Sequence, residues 1–258
     1  MTFSLLPCSL LSTITTRQTD QPMLILRSSL FYLGYFTTLV PHATICVILG
    51  LFMPIGMRYR YFLVWNAFTI WWLKITCGVK YEVIGKENVP SDPFVLLANH
   101  QSPWETLFLY WEFLPICAIL KKQLLNIPFF GWGLRLLRPI AIDRSKKSKS
   151  LQQLMKQGRE HLDDGFSVLV FPEGTRVEPG VEKRYSGGGA ELALTSGRKI
   201  LPVAHNAGLC WPAHKFIKYP GTVKVIIGKP IDPAGRTTKE VTREVEAWIR
   251  QAITYQKQ

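Results

Sequence analysis

The chain has 258 residues, of which 47% are hydrophobic, and a formal net charge of +13 at pH 7. This length can bury a sizeable core in one domain and leave a terminal segment outside that core. The positive charge favours an anionic partner, yet the chain lacks zinc-finger spacing and any recognisable RNA-binding motif, so we do not expect nucleic acid as a partner. The 5 cysteines are widely scattered, which argues against a disulfide framework and against a metal site.

The N-terminal third is predicted to contact a membrane. Residues 1–22 are polar and Thr-rich after a short apolar start and lack the pattern of a signal peptide, so we expect a disordered extension, and Met23 is a second candidate for the natural start. Residues 23–78 are expected to form membrane-embedded and interfacial helices. No Lys, Arg, Asp or Glu occurs from Ser28 to Gly56, and this length suits a bilayer. Because Pro41 interrupts the run, a single kinked span, a re-entrant hairpin and two half-buried helices all remain open.

An aromatic-rich segment, Tyr61 to Lys74, follows the basic cluster Arg58-Tyr59-Arg60. Aromatic side chains flanked by cations suit a helix at the lipid interface, while a core helix is the open alternative. The basic charge beside an apolar anchor predicts anionic membrane lipids as partners. The positive-inside rule then places the part of the chain that follows on the cytoplasmic side of the inner membrane.

The first chemical motif follows the apolar run Phe94–Ala98, whose length suits a buried strand. Ser102 is a good N-cap and Pro103 suits the first helical position, so a helix should begin here. His100 therefore lies between a strand and a helix, where α/β folds place chemistry. Glu105 in the first helical turn either orients His100 as a general base or completes a capping box with Ser102. These two interpretations are not mutually exclusive.

The second motif follows another short strand pattern, Ser167–Phe171, which Pro172-Glu173-Gly174-Thr175 breaks into a turn. Arg176 ends this turn. Its guanidinium is suited to a two-pronged contact with a phosphate, assisted by the Thr175 hydroxyl and the amides of the turn. A plain β-turn with a surface arginine is the alternative when the motif is considered by itself.

Taken together in order and separation, these motifs resemble the glycerolipid acyltransferase family. His100 and Glu105 match its His-x4-Asp box, with Glu where the family usually has Asp, and Phe171–Arg176 matches its most diagnostic hexapeptide in full. The resemblance runs from about Leu24 to Lys229 and includes two further blocks, Lys121–Pro128 with Pro139–Arg144, and Ile200–Asn206.

The resemblance implies direct acyl transfer from acyl-CoA or acyl-carrier protein to lysophosphatidate, which forms phosphatidate without a metal or other cofactor. His100 would act as the base and Glu105 would orient it. Glu173 is expected to contact the glycerol hydroxyl or to fix the turn, without acid or base work. The residues expected to bind substrate are Lys121, Arg144, Glu173, Gly174, Thr175 and Arg176, with Pro202 on the acyl-donor side.

We therefore expect an α/β domain over residues 79–258, with a mixed β-sheet flanked by helices, behind an N-terminal membrane-associated helical segment. The chain lacks a Gly-x-Ser-x-Gly elbow, and no cysteine lies beside a histidine in the sequence as an evident nucleophile pair, so no acyl-enzyme is required. Oxyanion donors would come from the amides at the start of the helix after His100 or from the Glu173-Gly174 turn. The alternatives are acylation of another lysolipid or of glycerol 3-phosphate, and an inactive lipid-binding membrane protein, an idea motivated by Glu105.

Overall fold

The computed structural model describes residues 21–143 and 147–255. Within these ranges it contains seven strands and seven α-helices. The strands are β1 (Val79–Ile84), β2 (Val95–Ala98), β3 (Ile116–Lys121), β4 (Ile140–Ile142), β5 (Ser167–Val170), β6 (Ile200–His205) and β7 (Gly221–Ile227). The helices are α1 (Gln21–Gly50), α2 (Ile55–Cys77), α3 (Pro103–Glu112), α4 (Phe130–Arg135), α5 (Lys147–Asp163), α6 (Gly188–Ser196) and α7 (Thr238–Tyr255).

The strands form one mixed sheet in the order β1-β7-β6-β2-β5-β3-β4. Strand β6 is antiparallel to β7, and every other neighbouring pair is parallel. Strands β2, β3, β5 and β6 therefore end at the same edge of the sheet, which we call the carboxyl edge. This arrangement confirms the predicted mixed α/β sheet, and the carboxyl edge is where such folds place chemistry.

The central strands are buried on both faces because helices cover the sheet on both sides. Every residue of β2, β5 and β6 is buried. Side chains alternate between the faces, so Leu96 packs in a core with Trp104 of α3, while Leu97 packs in a second core with Val241 of α7. Each fully buried Leu or Val contributes roughly 1.5–3 kcal/mol of transfer free energy. The continuous apolar runs of these strands reflect this two-sided burial.

Helix α1 continues through Pro41 for 30 residues. By length and composition it is apolar enough to cross a membrane, and 17% of the residues in its apolar 18-residue stretch are buried. Its first residue is Gln21, so the predicted extension overlaps the helix at its last two positions, and residues 1–20 lie outside the described residues. Of the alternatives left open by the sequence, the hairpin and the pair of half-buried helices are not what the structure contains, because one continuous helix runs from Gln21 to Gly50 across Pro41.

Helix α2 packs against α1 at a close crossing. A Cβ atom on Gly34 would lie 2.2 Å from Nε1 of Trp72, and that indole nitrogen donates to the Phe31 carbonyl at 3.2 Å. The α2 side chains divide between two environments: Leu73 is buried, whereas Trp71 is 53% exposed. The helix therefore has a core face and an exposed apolar face. These faces correspond to the core helix and the interfacial helix that the sequence left open.

The first turns of α1 are joined to the rest of the fold through a buried lysine. Lys218 is 0% exposed, its Nζ lies 3.8 Å from the centroid of the Tyr32 ring, and it donates to the Phe216 carbonyl at 2.6 Å. Burial lowers the pKa of Lys218 to about 8. The Lys218 amide also donates to Ser28 Oγ at 2.9 Å. These contacts hold α1 against the loop that precedes β7.

Candidate active site

The connection after β2 places His100 at the carboxyl edge. Helix α3 begins at Pro103, and Ser102 Oγ accepts a hydrogen bond from the Trp104 amide at 3.0 Å. Glu105 Oε1 accepts from the Ser102 amide at 2.7 Å, which completes the predicted capping box. An extended residue that accepts from the first helical turn stops the strand and starts the helix. His100 is thereby held on a short, rigid connection.

Glu105 also contacts His100. The same oxygen, Oε1, lies 2.8 Å from His100 Nδ1 and accepts from the Gln101 amide at 2.8 Å. The cap and the dyad therefore exist together, formed by one carboxylate oxygen. Because a carboxylate can only accept, Nδ1 carries the proton in this bond, and the lone pair of neutral His100 is on Nε2. That tautomer can accept a proton from a substrate hydroxyl.

The carboxylate of Glu105 is fully buried, and its second oxygen, Oε2, has no hydrogen-bond partner within the described ranges. Burial by itself would raise the pKa of Glu105, but the hydrogen bonds from His100 and from the Ser102 amide outweigh it, so the pKa is lowered. Glu105 is therefore ionised at neutral pH. An ionised partner both orients the imidazole and stabilises the imidazolium that forms when His100 takes a proton.

A second polar pair supports this connection from the neighbouring strand. Asn99 Nδ2 donates to the His205 carbonyl at 2.9 Å, and the His205 amide donates to Asn99 Oδ1 at 2.9 Å. The ring completes the link, since His205 Nε2 lies 2.7 Å from the Asn99 carbonyl while its Nδ1 accepts from the Ala207 amide. Burial lowers the pKa of His205, which keeps the ring neutral. No local pattern in the sequence marks this pair, apart from the position of both residues at strand ends.

The hexapeptide turn is bonded directly to the His100 backbone. Glu173 Oε2 accepts from the His100 amide at 2.8 Å, and the His100 carbonyl accepts from the Val177 amide at 2.8 Å. The Phe171 ring stacks on the His100 imidazole with 4.0 Å between centroids. Gly174 adopts φ 70°, a left-handed conformation that suits glycine in this tight turn. The contact made by Glu173 fits the turn-fixing role that we expected for it.

Replacing Glu173 with alanine is expected to destabilise the protein by about 1–2 kcal/mol, because the half-buried His100 amide loses its acceptor. Glu173→Gln keeps an acceptor and should be close to the wild type at low pH. Burial raises the pKa of Glu173 from 4.5 to about 7. This contribution to stability is present below pH 4.5 and is lost as the pH rises through 7, so the wild type should lose stability relative to Glu173→Gln over that window. Denaturant unfolding at several pH values measures both effects, and a pH-independent difference would contradict the assignment.

Three cations were predicted to bind the phosphate, and the structure describes two of them. Lys121 ends β3 at the carboxyl edge and is exposed. Arg176 ends the hexapeptide, and its Nε is a buried donor without a hydrogen-bond partner within the described ranges. Arg144 lies outside the described residues. The structure therefore puts Lys121 on the same edge as His100 and leaves an unused donor on Arg176.

Pro202 is placed away from that edge. It lies within β6 opposite Leu97, is buried, and its carbonyl accepts from the Gly228 amide at 2.9 Å. A Cβ atom on Gly228 would meet the Pro202 ring at 2.9 Å, so the ring fills the space beside this glycine. Thr175 and Gly174, by contrast, are exposed on the turn. Among the described side chains there is no group of three or more His, Cys, Asp and Glu suited to a metal ion.

The chain is similar in sequence to known acyltransferases. Residues 80–206 match the Acyltransferase family. Over 232 residues the chain is 44% identical to the 1-acyl-sn-glycerol-3-phosphate acyltransferase of Pseudomonas aeruginosa, and the match covers 88% of this chain and 90% of that protein. The enzyme of the same name from Saccharomyces cerevisiae is 38% identical over 106 residues, which is 40% of this chain and 35% of the yeast protein.

The crystal structure of PlsC, the 1-acyl-sn-glycerophosphate acyltransferase of Thermotoga maritima, has the same fold. The TM-score is 0.75 at 24% identity, and the superposition covers 93% of this chain and 98% of the other. The family resemblance predicted from the order of the motifs is therefore confirmed by sequence and by fold. This chain belongs to the glycerolipid acyltransferase family.

Proposed function

We propose that the protein transfers a fatty acyl group from a thioester to the free hydroxyl of 1-acylglycerol 3-phosphate, forming phosphatidate. The observation that carries this proposal is the His100 imidazole, held by an ionised, buried Glu105 at 2.8 Å on a connection that the hexapeptide turn also fixes. The identity to the Pseudomonas aeruginosa enzyme over most of both chains supports the choice of lysophosphatidate as acceptor. The reach of Glu105 to His100 removes the reason for proposing an inactive binding protein.

The proposed reaction is a single acyl transfer without an acyl-enzyme. His100 Nε2 takes the proton of the acceptor hydroxyl as its oxygen attacks the thioester carbonyl carbon. The new C–O bond forms, the carbonyl oxygen becomes an oxyanion, and the C–S bond then breaks. The thiolate leaves with the electron pair and accepts the proton from the His100 imidazolium. Glu105 stays ionised and stabilises the imidazolium between these steps.

The oxyanion needs hydrogen-bond donors that are not already used. At the start of α3, the Gln101 and Ser102 amides donate to Glu105 and the Trp104 amide donates to Ser102. The Gly174 amide donates to the Phe171 carbonyl at 3.0 Å. We therefore place the oxyanion near the remaining backbone amides of the hexapeptide turn.

Arg176 is the proposed main contact of the acceptor phosphate, because its buried Nε has no hydrogen-bond partner among the described residues and a buried donor gains most from a charged acceptor. Arg176→Ala is expected to raise the apparent KM for lysophosphatidate by about 10- to 100-fold, which corresponds to one lost hydrogen bond to a charged group. The KM for the acyl donor should change far less. Initial rates with each substrate varied in turn measure both constants, with the exposed Arg243→Ala as the matched control. Equal effects on both constants would remove Arg176 from the phosphate site.

Acyl-CoA or acyl-carrier protein is the proposed donor, and α1 is the proposed membrane segment. The apolar length of α1 supports attachment to a bilayer, and the net charge of +13 supports contact with anionic lipids. We propose that the catalytic domain faces the cytoplasmic leaflet of the inner membrane, since basic charge near a membrane segment marks that side.

The acceptor is tested by comparing the products that different acceptors give. Detergent-purified protein is incubated with acyl-CoA, or with acyl-carrier protein, that carries a labelled acyl group. Lysophosphatidate, glycerol 3-phosphate and neutral lysolipids are offered as acceptors in parallel reactions. We expect labelled phosphatidate from lysophosphatidate as the dominant product. Preferred labelling of glycerol 3-phosphate or of a neutral lysolipid would contradict the proposed acceptor. Binding of lysophosphatidate without product from either donor would contradict an enzymatic function.

A further inference from the structure

The segment between β3 and the end of α4, residues 122–135, exposes an unusual density of large apolar side chains. We call this segment the β3–α4 arm. Leu124, Ile127, Phe129 and Trp132 are 36%, 44%, 41% and 47% exposed. Single exposed apolar residues are ordinary on soluble proteins, whereas a contiguous cluster marks an interaction surface. This cluster takes no part in the site described above.

The outward position of Phe129 has a conformational cost. Its backbone has φ 58° and ψ −60°, in a region that non-glycine residues rarely adopt. The Phe129 ring lies 5.2 Å from the ring of Trp132, so the two aromatic side chains form one surface feature. A strained aromatic residue on the surface is explained when the exposed ring has a binding partner.

The inner side of the β3–α4 arm is packed firmly. A Cβ atom on Gly131 would lie 2.5 Å from the Leu125 carbonyl, and one on Gly133 would touch the Phe62 ring of α2 at 3.4 Å. At the end of α1, a Cβ atom on Gly50 would meet Leu136 at 2.8 Å. The arm is therefore packed within itself at Gly131 and against α2 at Gly133, the residue that follows it packs against the end of α1, and its four exposed apolar side chains remain on the outside.

The surroundings of the β3–α4 arm favour an anionic lipid surface as the partner. Near the contact with Gly50, the turn that follows α1 exposes further apolar side chains, including Phe52 at 84%. From Phe113 to Ile142 the chain contains no Asp or Glu, and Lys122 and Arg135 on the arm are exposed. Aromatic rings beside cations are the composition of membrane-interface segments, where the rings lie at headgroup depth and the cations meet anionic lipids.

We propose that the β3–α4 arm is a second membrane contact, which inserts Ile127, Phe129 and Trp132 at the headgroup level of an anionic leaflet. The inference rests on the proposed membrane attachment through α1, but it does not depend on the proposed reaction. Lys121, which immediately precedes the arm, ends β3 at the carboxyl edge. The arm therefore brings the leaflet surface to the edge that carries His100, and a lysolipid can reach the base without leaving the interface entirely.

The insertion is tested by fluorescence quenching in vesicles. The full-length protein is bound to phosphatidylcholine–phosphatidylglycerol vesicles that contain lipid brominated near the headgroup. The chain has 8 tryptophans, so the contribution of Trp132 is the difference between the wild type and Trp132→Phe. We expect this difference to be strongly quenched. Trp248→Phe is the matched control, because Trp248 packs against Gly228 beside the sheet and its contribution should be unaffected by brominated lipid.

A double variant separates insertion from catalysis. Phe129→Ser combined with Trp132→Ser should weaken insertion into the leaflet. We expect kcat/KM for lysophosphatidate presented in vesicles to fall by about tenfold, the equivalent of one lost apolar contact. Acylation of a water-soluble short-chain lysophosphatidate should be unchanged. Absence of Trp132 quenching would overturn the proposal whatever the activity. Protection of Trp132 from aqueous acrylamide without vesicles would also overturn it, because Trp132 would then be covered by protein, for example by a second copy of this chain. Quenching in a protein that acylates no lysolipid would support the membrane contact and contradict only the proposed function.

Discussion

His100→Ala is expected to lower the rate constant of acyl transfer by about 10²- to 10⁴-fold, the usual contribution of a general base. The fold should persist, since Glu105 keeps its bonds from the Gln101 and Ser102 amides and remains a helix cap. The loss should therefore appear in kcat, while the protein loses about 1.5–3 kcal/mol of stability, the contribution of one hydrogen bond to a charged group. Single-turnover rates with saturating donor and acceptor measure the chemical step directly.

The matched control for this variant is a histidine outside the site. His214 is exposed and has φ 60°, so His214→Asn retains a residue that tolerates this backbone conformation. We expect its rate constant to equal that of the wild type. If His100→Ala retained a rate within a few-fold of the wild type, the proton of the acceptor hydroxyl would have to leave by another route, and the base assignment would fail.

Glu105→Gln is expected to reduce kcat by about 10²-fold or more, because the imidazolium that forms during the reaction loses its buried counter-charge. The substitution should also destabilise the protein by about 1–3 kcal/mol. With the amide oxygen in the place of Oε1, its NH₂ group takes the place of Oε2, which has no partner within the described part of the chain. An unsatisfied donor would then be buried beside His100.

Glu105→Asp separates charge from reach. Aspartate keeps the charge and is the residue that the family usually carries, so this variant should retain much more activity than Glu105→Gln despite its shorter side chain. Equal impairment of both variants would show that reach, and not charge, decides the rate. Unchanged turnover in Glu105→Gln would reduce Glu105 to a helix cap.

The acid side of the stability curve gives an independent check on Glu105. Its pKa is lowered in the folded protein, so its ionised form contributes stability above the unfolded pKa, and this contribution is lost as the pH falls through the folded value. Glu105→Gln should lack that part of the acid-induced loss. Urea unfolding of both proteins between neutral and acidic pH measures the difference.

The amino-acid sequence by itself determined the local features of this protein. The apolar runs at β2 and β5 predicted buried strands, and Ser102-Pro103 predicted the start of α3, because strand burial and helix capping depend on neighbouring residues. The spacing of His100 and Glu105 was likewise sufficient to predict both a cap and a dyad. The order of the motifs then predicted the family, which the comparisons confirm.

The tertiary structure decided what joins these local features. The sheet order places Asn99 against His205, 106 residues away, and Glu173 against the His100 amide, 73 residues away. It also moves Pro202 back from the carboxyl edge and leaves the apolar side chains of the β3–α4 arm exposed. Sequence patterns report the burial and backbone preference of nearby residues, whereas strand pairing and buried polar contacts depend on which distant segments pack together. The two roles of Glu105 illustrate this difference, since only the folded geometry shows one oxygen serving both.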